Sequence, residues 1–411
     1  MKQAIVVIYR DFGPVYRLNL KAMARAAREQ NATAFVITLD GTEISDIEAD
    51  AHFKVSNFSD FSLTLTILDE LAKDFQIKSV LPAYEEDVGL ALQAMEHLGV
   101  RENMQALSEF VRNKNVMQAK AKEIGVPIAQ SYIPSTLSVE EFNQSGLHFP
   151  VIVKPYDGMG SRSTYKVHNE TELQDLALSN EILKQYRVEE FIEGEQFHVD
   201  SVIQNGEVIF KSVSEYSTTP LKSLQDPTTL FASQIIFDES VPHIKEMIRL
   251  NEIIIREFGF VNGVAHVEFF LTPDKRVYFG EIGARLPGVY VSNLIKEGYQ
   301  IKMAEEWVRA ELVEKHVVQY QARPYVGAAL LKSVCTGRID ELGDEQKIIE
   351  DKQVLYHQIW KQVGQEFEKA SMSCDAFGFV VVKCDSHEEV FPKLQQINLR
   401  YQSESKFSNG N

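Results

Sequence analysis

Cysteine is nearly absent: Cys335, Cys374 and Cys384 are the only three in 411 residues, and no CxxC pair occurs. An odd, scattered trio argues against a disulfide framework or a structural zinc site, and reads as buried thiols in a reducing compartment. Long apolar runs are missing too. The N-terminal MKQAIVVIYR offers one five-residue apolar run, too short for a signal peptide. Nothing approaches the roughly 18 apolar residues of a membrane span, so a cytoplasmic protein is expected. Positive charge is in deficit, with 42 Lys and Arg against 59 Asp and Glu for a net charge of −17. Nucleic acid and anionic membranes need a basic surface and are not expected as partners. Two glycine motifs are also lacking. No GxxxxGK[ST] occurs, and Arg10-Asp11-Phe12-Gly13 has one glycine where a dinucleotide fingerprint needs three. Neither a P-loop nor NAD binding is supported.

What is present is an ordinary globular balance, 44% hydrophobic and 25% charged, able to bury a large core over roughly two to four domains. Up to residue 100, β-branched apolar runs at 4–8, 34–39 and 77–81 alternate with helical patterns from Pro14 and near 61–75 and 86–98. That alternation implies an open parallel sheet with βαβ crossovers. Ligands of such sheets sit beyond the carboxyl ends of the strands. The acids Glu85, Glu86 and Asp87 fall there, and read equally as ligand contacts or as a helix N-terminal turn. A helix at 113–124 ends in Gly125 and Pro127. Strands then dominate to 215, with Asn205-Gly206 as a hairpin turn. The polar 216–230 stretch reads as a loop and candidate lid. A helix at 243–258, strands at 262–271 and 276–282, and helices over 290–312 follow. The last 90 residues mix strands (326–334, 377–384) with a helix near 387–398, and the terminal SESKFSNGN reads as a frayed tail.

Three segments carry chemistry. In VIVKPYDGMGSRST (151–164) a strand delivers Lys154 into a small-residue loop. Gly158 and Gly160 lack Cβ atoms, which lets backbone N–H groups beside Ser161 approach phosphate oxygens. A plain hairpin turn with a surface lysine is the bland alternative. In AHVEFFLTPDKRVYFGEIGARLPG (265–288), a two-residue turn at Asp274-Lys275 puts Glu268 directly opposite Glu281. Like charges so placed repel, and a cation such as Mg²⁺ removes the penalty. Arg285, four residues beyond, can stabilise phosphoryl or carboxylate charge. The third segment, VEEFIEGEQFHVD (188–200), runs an apolar strand into an acidic turn and out again. His198 and His266 each have a bland reading as core histidines.

In order, RNKNVM (112–117), VIVKP with DGMGS, VEEFIEGEQFHVD, GVAHVEFF and EIGARLPG resemble the ATP-grasp superfamily, over about 110–310. Within it, HVD and EIGARLPG look like the carboxylate–amine ligases, especially bacterial L-amino acid ligases of the bacilysin-synthetase type. The resemblance implies an α/β fold, α+β in the ATP-grasp lobes. It divides into a pre-ATP-grasp open parallel sheet (1–112), a small lobe with a Gly-rich lid (113–190), a large lobe with the metal site (191–320) and a small β-rich C-terminal domain (321–411).

The same resemblance implies roles. Lys114 and Lys154, with Gly158, Gly160 and Ser161, would contact ATP phosphates, Lys154 and Arg285 acting in catalysis. Glu189, Glu190, Phe191 and Ile192 would hold adenine, Glu195 or Gln196 the ribose, and His198 would complete the nucleotide site. Glu268 and Glu281 would hold Mg²⁺, with Mn²⁺ as a substitute. Many members have Asn two residues after the second Glu, where this chain has Gly283, and His266 would help fill that space. Arg285, with Glu85, Glu86 or Asp375, would bind the substrate. The implied reaction joins two amino acids through an acylphosphate at the expense of ATP, a cationic amino acid such as arginine being a candidate donor. A biotin-carboxylase-like enzyme, a ligase acting on a carrier protein and a non-catalytic nucleotide-binding protein are the alternatives. A homodimer is common in the superfamily.

Overall fold

A computed structural model describes residues 1–179 and 186–408. Its first layer is a wholly parallel sheet in the order Ala51–Val55, Thr33–Leu39, Lys2–Tyr9, Phe75–Pro82. Ala4 through Tyr9 are fully buried, as expected of a strand covered on both faces by crossover helices. Pro14–Glu29 opens with proline in its first turn, where the missing N–H costs nothing. Ala51–Val55 escaped the sequence reading because this half-buried edge strand carries His52 and Lys54 and lacks apolar continuity. Two loops at the carboxyl end of this sheet, 10–13 and 83–87, face the rest of the molecule.

The small lobe is an antiparallel sheet in the order Ser131–Tyr132, Tyr186–Glu190, Val151–Pro155, Tyr165–Val167. Its own core of Phe142, Val151, Val153, Leu173 and Val188 packs beneath helices Val139–Ser145 and Glu170–Ser179.

An eight-stranded sheet forms the body. Its order is Val277–Gly283, Gly263–Leu271, Glu195–Gln204, Glu207–Tyr216, Ala232–Ile236, Val326–Leu331, Gly378–Lys383, Val354–Ile359. Asn205 and Gly206 both have positive φ, 54° and 79°, so this hairpin turns through the conformation its sequence favours. The last three strands come from beyond residue 320, so much of the C-terminal segment continues the large sheet instead of forming a layer apart. A three-stranded sheet, Glu366–Phe367, Gly337–Glu341, Lys406–Ser408, adds the remainder.

Lys406–Ser408 is not frayed: it pairs with Gly337–Glu341, and Phe407 packs on Phe367 and Phe377. Residues 409–411 of that tail lie outside the described residues. The 216–230 stretch is not simply a loop. Thr219 caps a short helix, Pro220–Gln225, by accepting a hydrogen bond from the Lys222 N–H. The fully buried Lys332 donates from Nζ to the Ser223 carbonyl at 2.6 Å and its hydroxyl at 2.7 Å. Among the described residues, no helix is long and apolar enough to cross a membrane.

Candidate active site

Glu268 does pair directly with Glu281, and His266 with Gly283. The route to that pairing differs from the expected one. The turn is longer than two residues: Leu271 pairs with Val277, and Thr272 N–H donates to Arg276 O at 3.0 Å. Lys275 takes up positive φ at 64°. This shifts the register by one residue, and a bulge at Gly280 shifts it back before Glu281. A Cβ at 280 would lie 3.0 Å from the Phe270 ring and 3.2 Å from Glu268 O, so glycine is what lets the bulge close. Gln118, on the helix Lys114–Glu123, donates to the Gly280 carbonyl at 2.7 Å.

Side chains converge on the two carboxylates. Glu268 accepts from Gln196 Nε2 at 2.7 Å and from the Tyr216 hydroxyl at 3.3 Å. Lys114 Nζ stands 3.3 Å from Glu281. Burial disfavours the Glu281 carboxylate, but Lys114 and Lys154 outweigh it and lower its pKa. Two opposed carboxylates facing a cavity are a hard oxygen donor set, and they fit a divalent cation such as Mg²⁺.

On one side of this pair lies a narrow cleft of about 140 Å³ between the small lobe and the large sheet. Lys114, Lys154, Gly158, Gly160, Ser161, Glu189, Glu190, Phe191, Ile192 and Gln196 all line it. Lys154 pairs with Glu189, and Lys114 Nζ donates to Gly158 O at 2.6 Å. Glu189 is braced from behind by the buried Arg187, whose Nε lies 3.1 Å away and whose Nη1 donates to Lys114 O at 2.6 Å. Arg187 was not singled out from the sequence; its place between Tyr186 and Val188, two residues before Glu189 and so on the same strand face, was the available signal. Gly160, Ser161 and Ser163 all have positive φ. The loop docks on the C-terminal segment through Ser373 N–H to Gly160 O at 3.1 Å.

On the other side is a cavity of about 890 Å³ that shares Met159, Gly160, Ser161, Pro220, Glu268 and Glu281 with the cleft. Phe12 and Tyr84, stacked at 3.8 Å, form one wall with Tyr16. Arg285 and Glu85 meet inside it. Glu85 accepts from Arg285 Nε and from Arg112 Nη1, the latter at 2.5 Å. Burial alone would raise the Glu85 pKa, yet Arg285 and Arg112 hold it down at about 2. Its Oε2 comes within 3.2 Å of where a Cβ on Gly283 would stand, so Glu85, more than His266, occupies the space over that glycine. Asp375 lines the same cavity, with one oxygen accepting from the N–H groups of Ser371 and Met372 at 2.7 and 3.0 Å.

Several expected residues are not brought in. His198 lines neither cavity: fully buried, it bonds Asp200 at 2.6 Å and the Ser233 hydroxyl at 3.1 Å, the bland reading. Glu195 is exposed at the strand start, 4.0 Å from Lys275, because strand alternation turns Gln196 inward instead. Glu86 is half exposed, 3.8 Å from Arg10, on the outer side of the Glu85–Asp87 turn. Of the three cysteines, all free, only Cys384 is buried; Cys335 is exposed and Cys374 half-buried. His266 does line the large cavity, with Nδ1 on Asp200 at 2.7 Å and Nε2 3.5 Å from Glu268. Burial pulls its pKa down, but Asp200 and Glu268 prevail and push it up to about 10.

A cleft between an antiparallel lobe and a larger sheet, with paired carboxylates at its floor, is an ATP-grasp arrangement, and residues 147–293 match the ATP-grasp domain family. The likeness to that family is thus carried by residues 147–293. It is similar to an L-arginine-specific L-amino acid ligase of Bacillus subtilis, 25% identical over 266 residues, or 62% of this chain and 63% of that protein. A D-alanine--D-alanine ligase of Fusobacterium nucleatum is 26% identical over 197 residues, 46% of this chain and 61% of that protein. The matched segments thus span less than two thirds of either relative. Among solved structures, an L-amino acid ligase from Bacillus licheniformis superposes with a TM-score of 0.78 at 16% identity, over 100% of this chain and 99% of that one. A carboxyaminoimidazole ribonucleotide synthase from Aspergillus clavatus, complexed with ATP, gives 0.73 at 15% identity, over 97% and 99%. These two likenesses are of fold.

Proposed function

We propose that this protein is an ATP-dependent carboxylate–amine ligase that joins two L-amino acids into a dipeptide. The observation that carries the reading is the meeting of two cavities across Glu268 and Glu281: a cleft walled by lysines, and a larger chamber holding Arg285. A phosphoryl donor on one side and an acceptor carboxylate on the other then come together at that pair. Lys114 and Lys154 exchange their protein partners, Gly158 O and Glu189, for phosphate oxygens, and residues 189–192 take the adenine. Glu268 and Glu281 hold Mg²⁺, which supplies charge neutralisation between phosphates when bound.

In the first step the donor carboxylate attacks the γ-phosphorus, ADP leaves and an acylphosphate forms. The lysines spread the developing charge, as positioning and electrostatics dominate phosphoryl transfer. In the second, the acceptor amine attacks the acyl carbon, phosphate departs and the nitrogen loses a proton. Arg285, fixed by Glu85, faces the oxyanion of that step. The loop at 157–164, docked on Ser373, keeps water from the acylphosphate.

A cationic donor such as arginine suits the chamber. Glu85 is committed to two arginines, but Asp375 keeps an oxygen free of the contacts that fix its loop. Likeness to an arginine-specific ligase supports the same choice. The test is phosphate release from Mg-ATP against all twenty L-amino acids, singly and in pairs, with mass spectrometry of products. A dipeptide mass with stoichiometric ADP is expected. ATP turnover that depends on bicarbonate or a carrier protein instead would overturn the reading.

A further inference from the structure

We propose that His266 is a third protein ligand, through Nε2, for the divalent cation held by Glu268 and Glu281. This rests on the reading of those two glutamates as a metal pair. Residues 266 and 268 alternate onto one face of their strand, and both line the large cavity. His266 is directed there by a chain of buried groups. Its Nδ1 bonds Asp200 Oδ1 at 2.7 Å, Asp200 Oδ2 bonds His198 Nδ1 at 2.6 Å, and His198 Nε2 meets Ser233 Oγ at 3.1 Å. Ser233 Oγ in turn lies 3.1 Å from the Tyr290 hydroxyl. Asp200, Ser233 and His198 are fully buried.

A histidine whose Nδ1 faces a carboxylate, with Nε2 open to a site, is the usual second-shell arrangement of metal-binding imidazoles. The carboxylate fixes ring orientation, and a cation bound at Nε2 displaces the proton that pairs this nitrogen with Glu268. The ligand atoms of His198, Asp200 and His266 lie within 4.8 Å of one another. They do not themselves make the site, because both Nδ1 atoms are already hydrogen-bonded to Asp200. Nε2 of His266 is the open nitrogen. It stands 3.5 Å from Glu268 Oε1, beyond the usual ~2.7–3.2 Å of a hydrogen bond. Adjacent ligands of an octahedral ion with bonds of ~2.1 Å are separated by about 3 Å, so a small movement lets one ion touch both atoms. Gly283, opposite His266, contributes no side chain to the same face. An imidazole nitrogen added to carboxylates tilts a site toward transition metals, which favours Mn²⁺ relative to an all-oxygen set.

The experiment uses the full chain with Mn²⁺ and ADP, its histidines either ¹⁵N-labelled or at natural abundance, read by pulsed electron paramagnetic resonance. Phosphorus couplings from ADP and a ¹⁵N coupling of directly bonded size are expected. In His266→Asn the nitrogen coupling disappears while the phosphorus couplings stay, and Mn²⁺ affinity falls about tenfold, Mg²⁺ affinity by less. Phosphorus couplings without a histidine coupling overturn the proposal and leave the nucleotide–metal reading standing. No Mn²⁺–ADP signal at all overturns both. The labelled wild-type chain decides the matter even where the variant does not fold.

Discussion

At the scale of single residues, the site is a set of charges that balance one another before any ligand arrives. Glu281 faces Glu268 across the strands and Lys114 from the side. Glu281→Gln keeps shape and hydrogen-bonding capacity but removes the charge that a cation needs. ADP formation is expected to fall at least a thousandfold with an unchanged circular-dichroism melt, on the scale of losing electrostatic transition-state stabilisation. A fully active variant would sink the metal assignment.

Glu85 gives a prediction of a different kind. Two arginines hold its carboxyl at about 2, against an ordinary 4.5. The folded pKa is the lower, so on acidification the unfolded chain takes up the proton first. The stabilisation is whole above pH 4.5 and is lost as pH falls toward 2. Glu85→Gln strands Arg112 and Arg285 without their partner and should cost about 3 kcal/mol near neutrality. The gap from wild type in urea midpoints should narrow steadily below pH 4.5. A gap that is flat from pH 6 to pH 2 would show that the arginines do not depress this group.

At the scale of elements, the hairpin Gly263–Leu271 to Val277–Gly283 is held in register by its bulge. Gly280→Ala puts a methyl against Phe270 and the Glu268 carbonyl, and overpacking of that kind costs ~1–3 kcal/mol. Metal affinity should fall more than the melting temperature warrants, because the bulge sets Glu281 opposite Glu268. Isothermal titration with Mn²⁺ and ADP, set beside a thermal melt, separates the two effects. Equal loss in a buried hairpin control outside both cavities, such as Val277→Ala, would refute it.

The same hairpin shows how far the sequence can be read. The facing of Glu268 and Glu281 was inferred from a two-residue turn at Asp274-Lys275, and that turn is wrong although the pairing holds. Two one-residue shifts cancel, and neither the positive φ of Lys275 nor the bulge is written in residue type alone. Strands with strong apolar runs, such as Lys2–Tyr9 and Gly263–Leu271, were found within a few residues. The half-buried Ala51–Val55 and the two-residue Ser131–Tyr132 and Glu366–Phe367 were not, because tertiary pairing makes them strands. For the site, ordered motifs led to the cleft residues. Deciding between Glu195 and Gln196, or seeing His198 as core, needed the strand's face, which one residue of offset reverses.

At the scale of the whole molecule, the large cavity is a joint product of segments far apart in sequence. Phe12, Tyr84 and Glu85 come from the loops at the carboxyl end of the parallel sheet, Glu268 and Glu281 from the large sheet, and Trp360 and Asp375 from the C-terminal segment. Chemistry at the carboxylate pair and selectivity at the far wall can therefore be separated by mutation. Asp375→Asn is the cleanest probe, since an amide oxygen can still accept from the Ser371 and Met372 N–H groups that shape the loop. Only the charge is lost. A cationic donor side chain paired with Asp375 would forfeit a charge-assisted hydrogen bond of about 1.5–3 kcal/mol. The expected outcome is a fall of roughly ten- to a hundredfold in kcat/KM for arginine or lysine as donor. KM for ATP should be unchanged, because Asp375 does not line the nucleotide cleft. Neutral donors should be used as well as before or better. If arginine and a neutral donor decline together, Asp375 serves only the fold of its loop, and the cationic preference must be sought among the remaining acids of the wall, Glu366 and Glu368.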